Sequence, residues 1–177
     1  RLSDCEGKPL CEKDEALERA VNLLRKGYIL AVKGLGGYHL ICDAANEETV
    51  SRLRKKKHRE EKPVAVMFPD IDAIRKEALL NILEERAVLS RERPIVIVRK
   101  KEAATLAVSV SPGNGTVGAF LPYTPLHHIL LKKFKKPVVA TSANVSDEPI
   151  AKDDADAFSR LAGIADYFLT HNSDIVR

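Results

Sequence analysis

Lys57 and Arg59 close a basic run, RLRKKKHREEK, that leads directly into apolar PVAVMF (the two together are residues 52–68). Arginine offers a planar fork of donors and lysine a compact point charge, the pairing that phosphate groups require. A charge run by itself describes a solvated helix face equally well. Ser142 and Asn144 stand in TSANVS (141–146), after a β-branched run. Polar residues there would sit at the carboxyl end of a strand, where open α/β sheets hold ligands, although both are also ordinary turn residues. The glycine run KGLGG (33–37) lacks the spacing of a P-loop or of a dinucleotide fingerprint, and permits a bulge or tight backbone passage instead. His39 follows it as a pocket candidate or a satisfied core histidine. His127 and His128 are neighbours on a predicted helix, point apart and make a poor metal pair, which favours a structural role. Cys5 and Cys11 cannot complete a zinc site alone, and Cys42 reads as a small core residue. No metal site is predicted.

These residues need elements to hold them. Leu17, Ala20, Val21 and Leu24 repeat at helical spacing behind Asp14, with Gly27 as the stop. YILAVK (28–33) and YHLICDA (38–44) read as strands flanking the glycines. Asn46 caps a helix running to about Lys57, with only Val50 and Leu53 as its apolar stripe. PVAVMF (63–68) is a strand, followed by helical turns between Asp70 and Arg86 and a strand at PIVIV (94–98). Residues 100–115 are irregular, and TVGAFL (116–121) is extended. Thr124 and Pro125 give an N-cap and first-turn proline to LHHILLKKF, with Leu126, Ile129, Leu130 and Phe134 predicted inward. PVVATSA (137–143) and ADYFLT (165–170) are strands around a helix that starts at Asp153. Strands alternating with helices predict an α/β layered sheet.

The chain has 177 residues, 45% hydrophobic and 31% charged, the balance of one soluble globular domain rather than a disordered tail. No apolar stretch reaches the length of a membrane span, and no signal peptide opens the sequence. Three cysteines are too few for a disulfide framework, so the default location is cytoplasmic. The net charge is +4, yet residues 52–62 hold seven Lys or Arg against two Glu. The rest is close to neutral. A general nucleic-acid binder spreads its charge over a face. This pattern indicates a local anion site.

Taken in order, VKGLGGYHLICDA, KKKHREEKPVAVM, LSRERPIVIV, SPGNGTVGAFLPYTPLHHILL, TSANVSDEPI and LAGIADYFLTHN resemble the YrdC-like domain of the HypF carbamoyltransferases of NiFe-hydrogenase maturation. The resemblance covers about residues 15–176, and it is closer to HypF than to the stand-alone enzymes that make threonylcarbamoyl-AMP. It implies a twisted, mixed open sheet flanked by helices, with a positively charged concave cleft for ATP and its Mg²⁺. The family's K-x-R falls on Lys57 and Arg59, its strand-end S-x-N on Ser142 and Asn144, and its threonine before V-G on Thr116, all as ATP contacts. Lys33, His39 and Phe120 are the expected substrate pocket.

Two departures bear on function. The stand-alone enzymes have arginine where this chain has Phe120. An aromatic ring cannot hold an amino-acid carboxylate, so the expected substrate is carbamate derived from carbamoyl phosphate. The chain also stops before the family's next conserved segment. It is expected to be an excised domain: residues 1–13 a linker remnant of an upstream zinc-finger region, 14–177 the nucleotide-binding domain. Acylphosphatase, zinc-finger and transferase domains would be its neighbours. The resemblance implies formation of carbamoyl-adenylate, with the carbamoyl group passed to a cysteine of a hydrogenase-maturation partner. The alternatives are a threonylcarbamoyl-AMP synthase-like tRNA-modification enzyme or a double-stranded RNA-binding module.

Overall fold

The computed structural model describes residues 1–59, 62–143 and 153–172. Its strands are β1 (Leu2–Asp4), β2 (Pro9–Cys11), β3 (Leu30–Lys33), β4 (Tyr38–Asp43), β5 (Val66–Met67), β6 (Ala78–Leu79), β7 (Val96–Lys100), β8 (Thr116–Phe120), β9 (Val138–Ser142) and β10 (Tyr167–Leu169). They form one sheet in the order β2-β1-β10-β3-β4-β9-β5-β8-β7-β6. Only β10–β3 and β5–β8 pair in parallel; the mixed α/β sheet is as predicted. The helices are α1 (Lys13–Arg25), α2 (Glu47–Lys56), α3 (Ile71–Glu77), α4 (Ile82–Leu89), α5 (Pro125–Phe134) and α6 (Asp154–Leu161).

Strand alternation sends side chains to two apolar layers. Tyr38, Leu40, Val117 and Val139 join Val50 and Leu53 of α2 and Leu161 of α6 on one face. Ile41, Phe120, Val138 and Ala140 join Leu24 of α1 and Leu130 and Phe134 of α5 on the other. Local chemistry starts α2, α5 and α6 as predicted, whereas α1 begins at Lys13, after Glu12, without a side-chain cap. The side chains of Asn46, Thr124 and Asp153 accept hydrogen bonds from the N–H groups of Thr49, His127 and Asp156, satisfying first-turn donors. Gly27, at φ +81°, ends α1, with the Tyr28 N–H donating to Leu23 O and the Gly27 N–H to Leu24 O, the paired bonds of a left-handed helix stop.

Two expectations change. Residues 1–13, read as a linker remnant, contain β1 and β2, and β1 pairs antiparallel with β10. Leu2 is fully buried, so this segment belongs to the sheet. On α5 the inward residues are His127, Leu130, Leu131 and Phe134, while Ile129 is 45% exposed. The layer on which α5 lies sets its rotation, and a stretch with apolar residues on more than one side cannot specify it alone.

Candidate functional site

α2 closes on the same kind of turn as α1, but with a histidine in the left-handed position: His58 has φ +50°. The Arg59 N–H donates to Arg54 O and the His58 N–H to Lys55 O. This reversal turns the chain so that Lys57 and Arg59 both reach the end of β9. Lys57 Nζ donates to Ser142 O at 2.5 Å and lies 3.4 Å from Thr141 Oγ1. Arg59 donates to the same hydroxyl at 3.4 Å and to Pro63 O at 2.9 Å. Arg59 Nε is buried without a partner among the described residues. Lys57 is only 6% exposed, and burial, reinforced by the Arg59 guanidinium, pushes its ammonium down to about 8. Two cations held at one strand end, one of them with an unused donor, can neutralise and orient an anionic group.

The other predicted residues distribute around this point. Thr116 is exposed at the first residue of β8, and the register through β5 puts it at the same end of the sheet as Ser142. Ser142 is exposed at the last residue of β9 and pairs with His39. Asn144 lies outside the described residues. Alternation puts the side chains of His39, Ser142 and Thr116 on the α1/α5 face, whereas Thr141 faces α2 and its two cations. Lys33 is on that α2/α6 face. Its Nζ pairs with Asp154 Oδ1 at 2.9 Å, and the Tyr38 hydroxyl donates to the same carboxylate at 2.6 Å. Burial works against ionisation of Asp154, but the bonds from Tyr38 and Lys33 hold it below the usual carboxylate range. Phe120, 4% exposed, belongs to the apolar layer beneath α5 at the other end of β8. Lys33, His39 and Phe120 are therefore not gathered into one pocket. Lys33 is engaged with α6, and Phe120 is part of the core.

Thr141 was not singled out from the sequence, although the period-two pattern of β9 already sets it opposite Ser142. Tyr123 and His127 were also missed as neighbours of His39. Their rings lie 5.9 and 5.4 Å from it, a meeting that depends on how α5 crosses β4. A cavity of about 440 Å³ between α3 and α5, lined in part by Asp70, Lys76, His128 and Lys132, lies past the opposite end of β5 and contains none of the predicted site residues. Among the described residues no group of three or more His, Cys, Asp or Glu could hold a metal ion. No helix of the described residues is long and apolar enough to cross a membrane.

Comparison with known proteins follows the same lines. The model of the Sua5–YciO–YrdC family, described as telomere recombination, matches residues 22–177. The carbamoyltransferase HypF of Synechocystis sp. is 48% identical over 171 residues, 97% of this chain and 22% of that protein. Among solved structures, HypF of T. kodakarensis superposes with a TM-score of 0.93 at 42% identity, covering 99% of this chain and 23% of the other. Full-length HypF in a phosphate- and nucleotide-bound form gives 0.90 at 40% identity, with the same coverage. The chain thus spans about a fifth of the length of the relatives it matches.

Proposed function

Because this chain belongs to the Sua5–YciO–YrdC family, we propose that it is the adenylate-forming domain of a HypF-type carbamoyltransferase. The observation that carries the reading is the convergence of Lys57 and Arg59 on Thr141 at the end of β9, with Arg59 Nε unused. In this reading Lys57 and Arg59 hold the phosphates of ATP, and Ser142, Asn144 and Thr116 contact the nucleotide at the strand ends. The similarity to a HypF with phosphate and nucleotide bound supports it.

Carbamate, released from carbamoyl phosphate by an acylphosphatase domain, attacks the α-phosphorus of ATP through a carboxylate oxygen. Pyrophosphate leaves and carbamoyl-adenylate remains. The domain needs no nucleophile, because alignment and charge neutralisation lower the barrier. Mg²⁺ would travel with the nucleotide, and no step is assigned to it. Another domain would then pass the carbamoyl group to a cysteine of a hydrogenase-maturation protein. Carbamate is favoured over threonylcarbamate because this chain has a core residue, Phe120, at the position where the stand-alone enzymes carry an arginine suited to an amino-acid carboxylate.

Exchange of labelled pyrophosphate into ATP tests this. With acylphosphatase supplied, exchange should depend on carbamoyl phosphate and be absent with threonine plus bicarbonate. Threonine-dependent exchange would move the chain to the tRNA-modifying branch. If the chain instead bound duplex RNA with an affinity falling steeply with salt, the basic segment would be an RNA contact.

A further inference from the structure

Beside the strand-end group, three rings close a triangle. His39 of β4, Tyr123 ahead of α5 and His127 in its first turn have centroids 5.4–5.9 Å apart, each pair edge-on. The Tyr123 hydroxyl lies 3.2 Å from His39 Nε2. His127 is held by its backbone, whose N–H donates to Thr124 Oγ1 at 3.1 Å. Its ring is fully buried, and neither ring nitrogen has a partner among the described residues. An apolar ring of similar shape would fill this space without leaving polar atoms unpaired. Packing alone therefore does not account for a histidine here.

The position is informative. His39 pairs with Ser142 across the β4–β9 ladder, and both face the α1/α5 side, so the triangle borders the proposed nucleotide site. Its chemistry is neutral. Burial, with the neighbouring histidines adding to it, pushes His127 down to about 3, and burial lowers His39 as well. Each neutral imidazole offers one N–H and one lone pair, and the phenol offers a hydroxyl. None of the three rings carries a cation for a phosphate or carboxylate. The set complements a small, planar, uncharged group that carries both a carbonyl oxygen and N–H donors.

We propose that His39, Tyr123 and His127 form the subsite for the carbamoyl group, with the adjoining phosphates directed towards Lys57 and Arg59. This rests on the adenylate reading above. Tyr123, 40% exposed, is the outer wall and swings aside to admit the group to His127. The amide nitrogen and oxygen then occupy the hydrogen-bonding positions that the buried imidazole leaves unused.

Carbamoyl phosphate and acetyl phosphate are the probes. They share a carbonyl and a phosphate and differ in an amino group against a methyl. Binding of each to the 177-residue chain is followed by calorimetry and by the nitrogen resonances of the histidine rings. The wild type should bind carbamoyl phosphate about tenfold more tightly, the scale of one hydrogen-bonded group. His127→Phe, and Tyr123→Phe at the exposed wall, should each bring the two probes to within about twofold while ATP affinity holds. Equal affinities in the wild type, no carbamoyl phosphate binding, or a preference that survives both variants would overturn the subsite. So would a His127→Phe protein that melts higher with its preference intact, since the ring would then be packing. ATP titrated alone separates the two readings. ATP affinity unaffected by Lys57→Ala defeats the phosphate assignment, whereas intact ATP binding without amide discrimination defeats only the subsite.

Discussion

At Lys57 the same ammonium ties α2 to β9 and faces the proposed phosphate site, whereas Lys55 is solvated. Lys57→Ala or Arg59→Ala should each weaken ATP binding by about 1.5–3 kcal/mol, the range of a charge-assisted contact, and Lys55→Ala should leave calorimetric affinity unchanged. Equal losses at Lys55 and Lys57 would point to a diffuse field. The depressed titration of Lys57 adds a pH signature. Its folded value, about 8, is below the usual 10.5, so the cost of burying the charge is full below about pH 8. That cost is relieved as pH rises towards 10.5, and the residue's contribution to stability rises with pH across this window. ATP affinity should run the other way, holding below about pH 8 and declining above it as the cation is lost. Lys57→Ala should lack that decline.

The place where α2 stops sets where the basic segment lies. Gly27 and His58 occupy the same left-handed position at the ends of α1 and α2, but only glycine takes it without a Cβ clash. His58→Gly should therefore raise stability by about 0.5–1 kcal/mol in urea denaturation, with ATP affinity unchanged because the turn's path is preserved. A drop in affinity would mean that the His58 ring itself touches the nucleotide. At the other side of the sheet end, the Lys33–Asp154–Tyr38 link fastens the start of α6 to β3 and β4. The helices on this face are thus pinned by polar contacts at the site and by apolar ones beneath it.

Across the whole molecule, the sheet continues past β10 into residues near the N-terminus. Removing residues 1–11 would delete β1 and β2, uncover the β10 edge and strip away buried Leu2. Burial of one leucine is worth about 1.5–3 kcal/mol, and an uncovered edge invites association. The truncated chain should lose at least about 3 kcal/mol in denaturant titration and self-associate in sedimentation. Unchanged stability would restore the linker reading of this segment.

The sequence by itself determined what is local. Helix caps at Asn46, Thr124 and Asp153, the stop at Gly27 and the strand–helix alternation are legible because each acts within a few residues. The basic segment stood out because its charge is concentrated in one stretch, and the resemblance pointed to Lys57 and Arg59 within it. Tertiary structure decided everything that depends on a partner distant in the chain. β1 and β2 are three residues each, too short to stand without β10. Thr141 matters only once α2 lies across β9. His127 replaces Ile129 on the inner side of α5 because the layer beneath chooses the helix rotation, and that choice brings three rings together beside Ser142. Lys33, expected in the substrate pocket, is engaged instead by Asp154, more than a hundred residues further along the chain. A pairing between such distant residues has no signature in either segment alone, because its energy exists only once the sheet has formed.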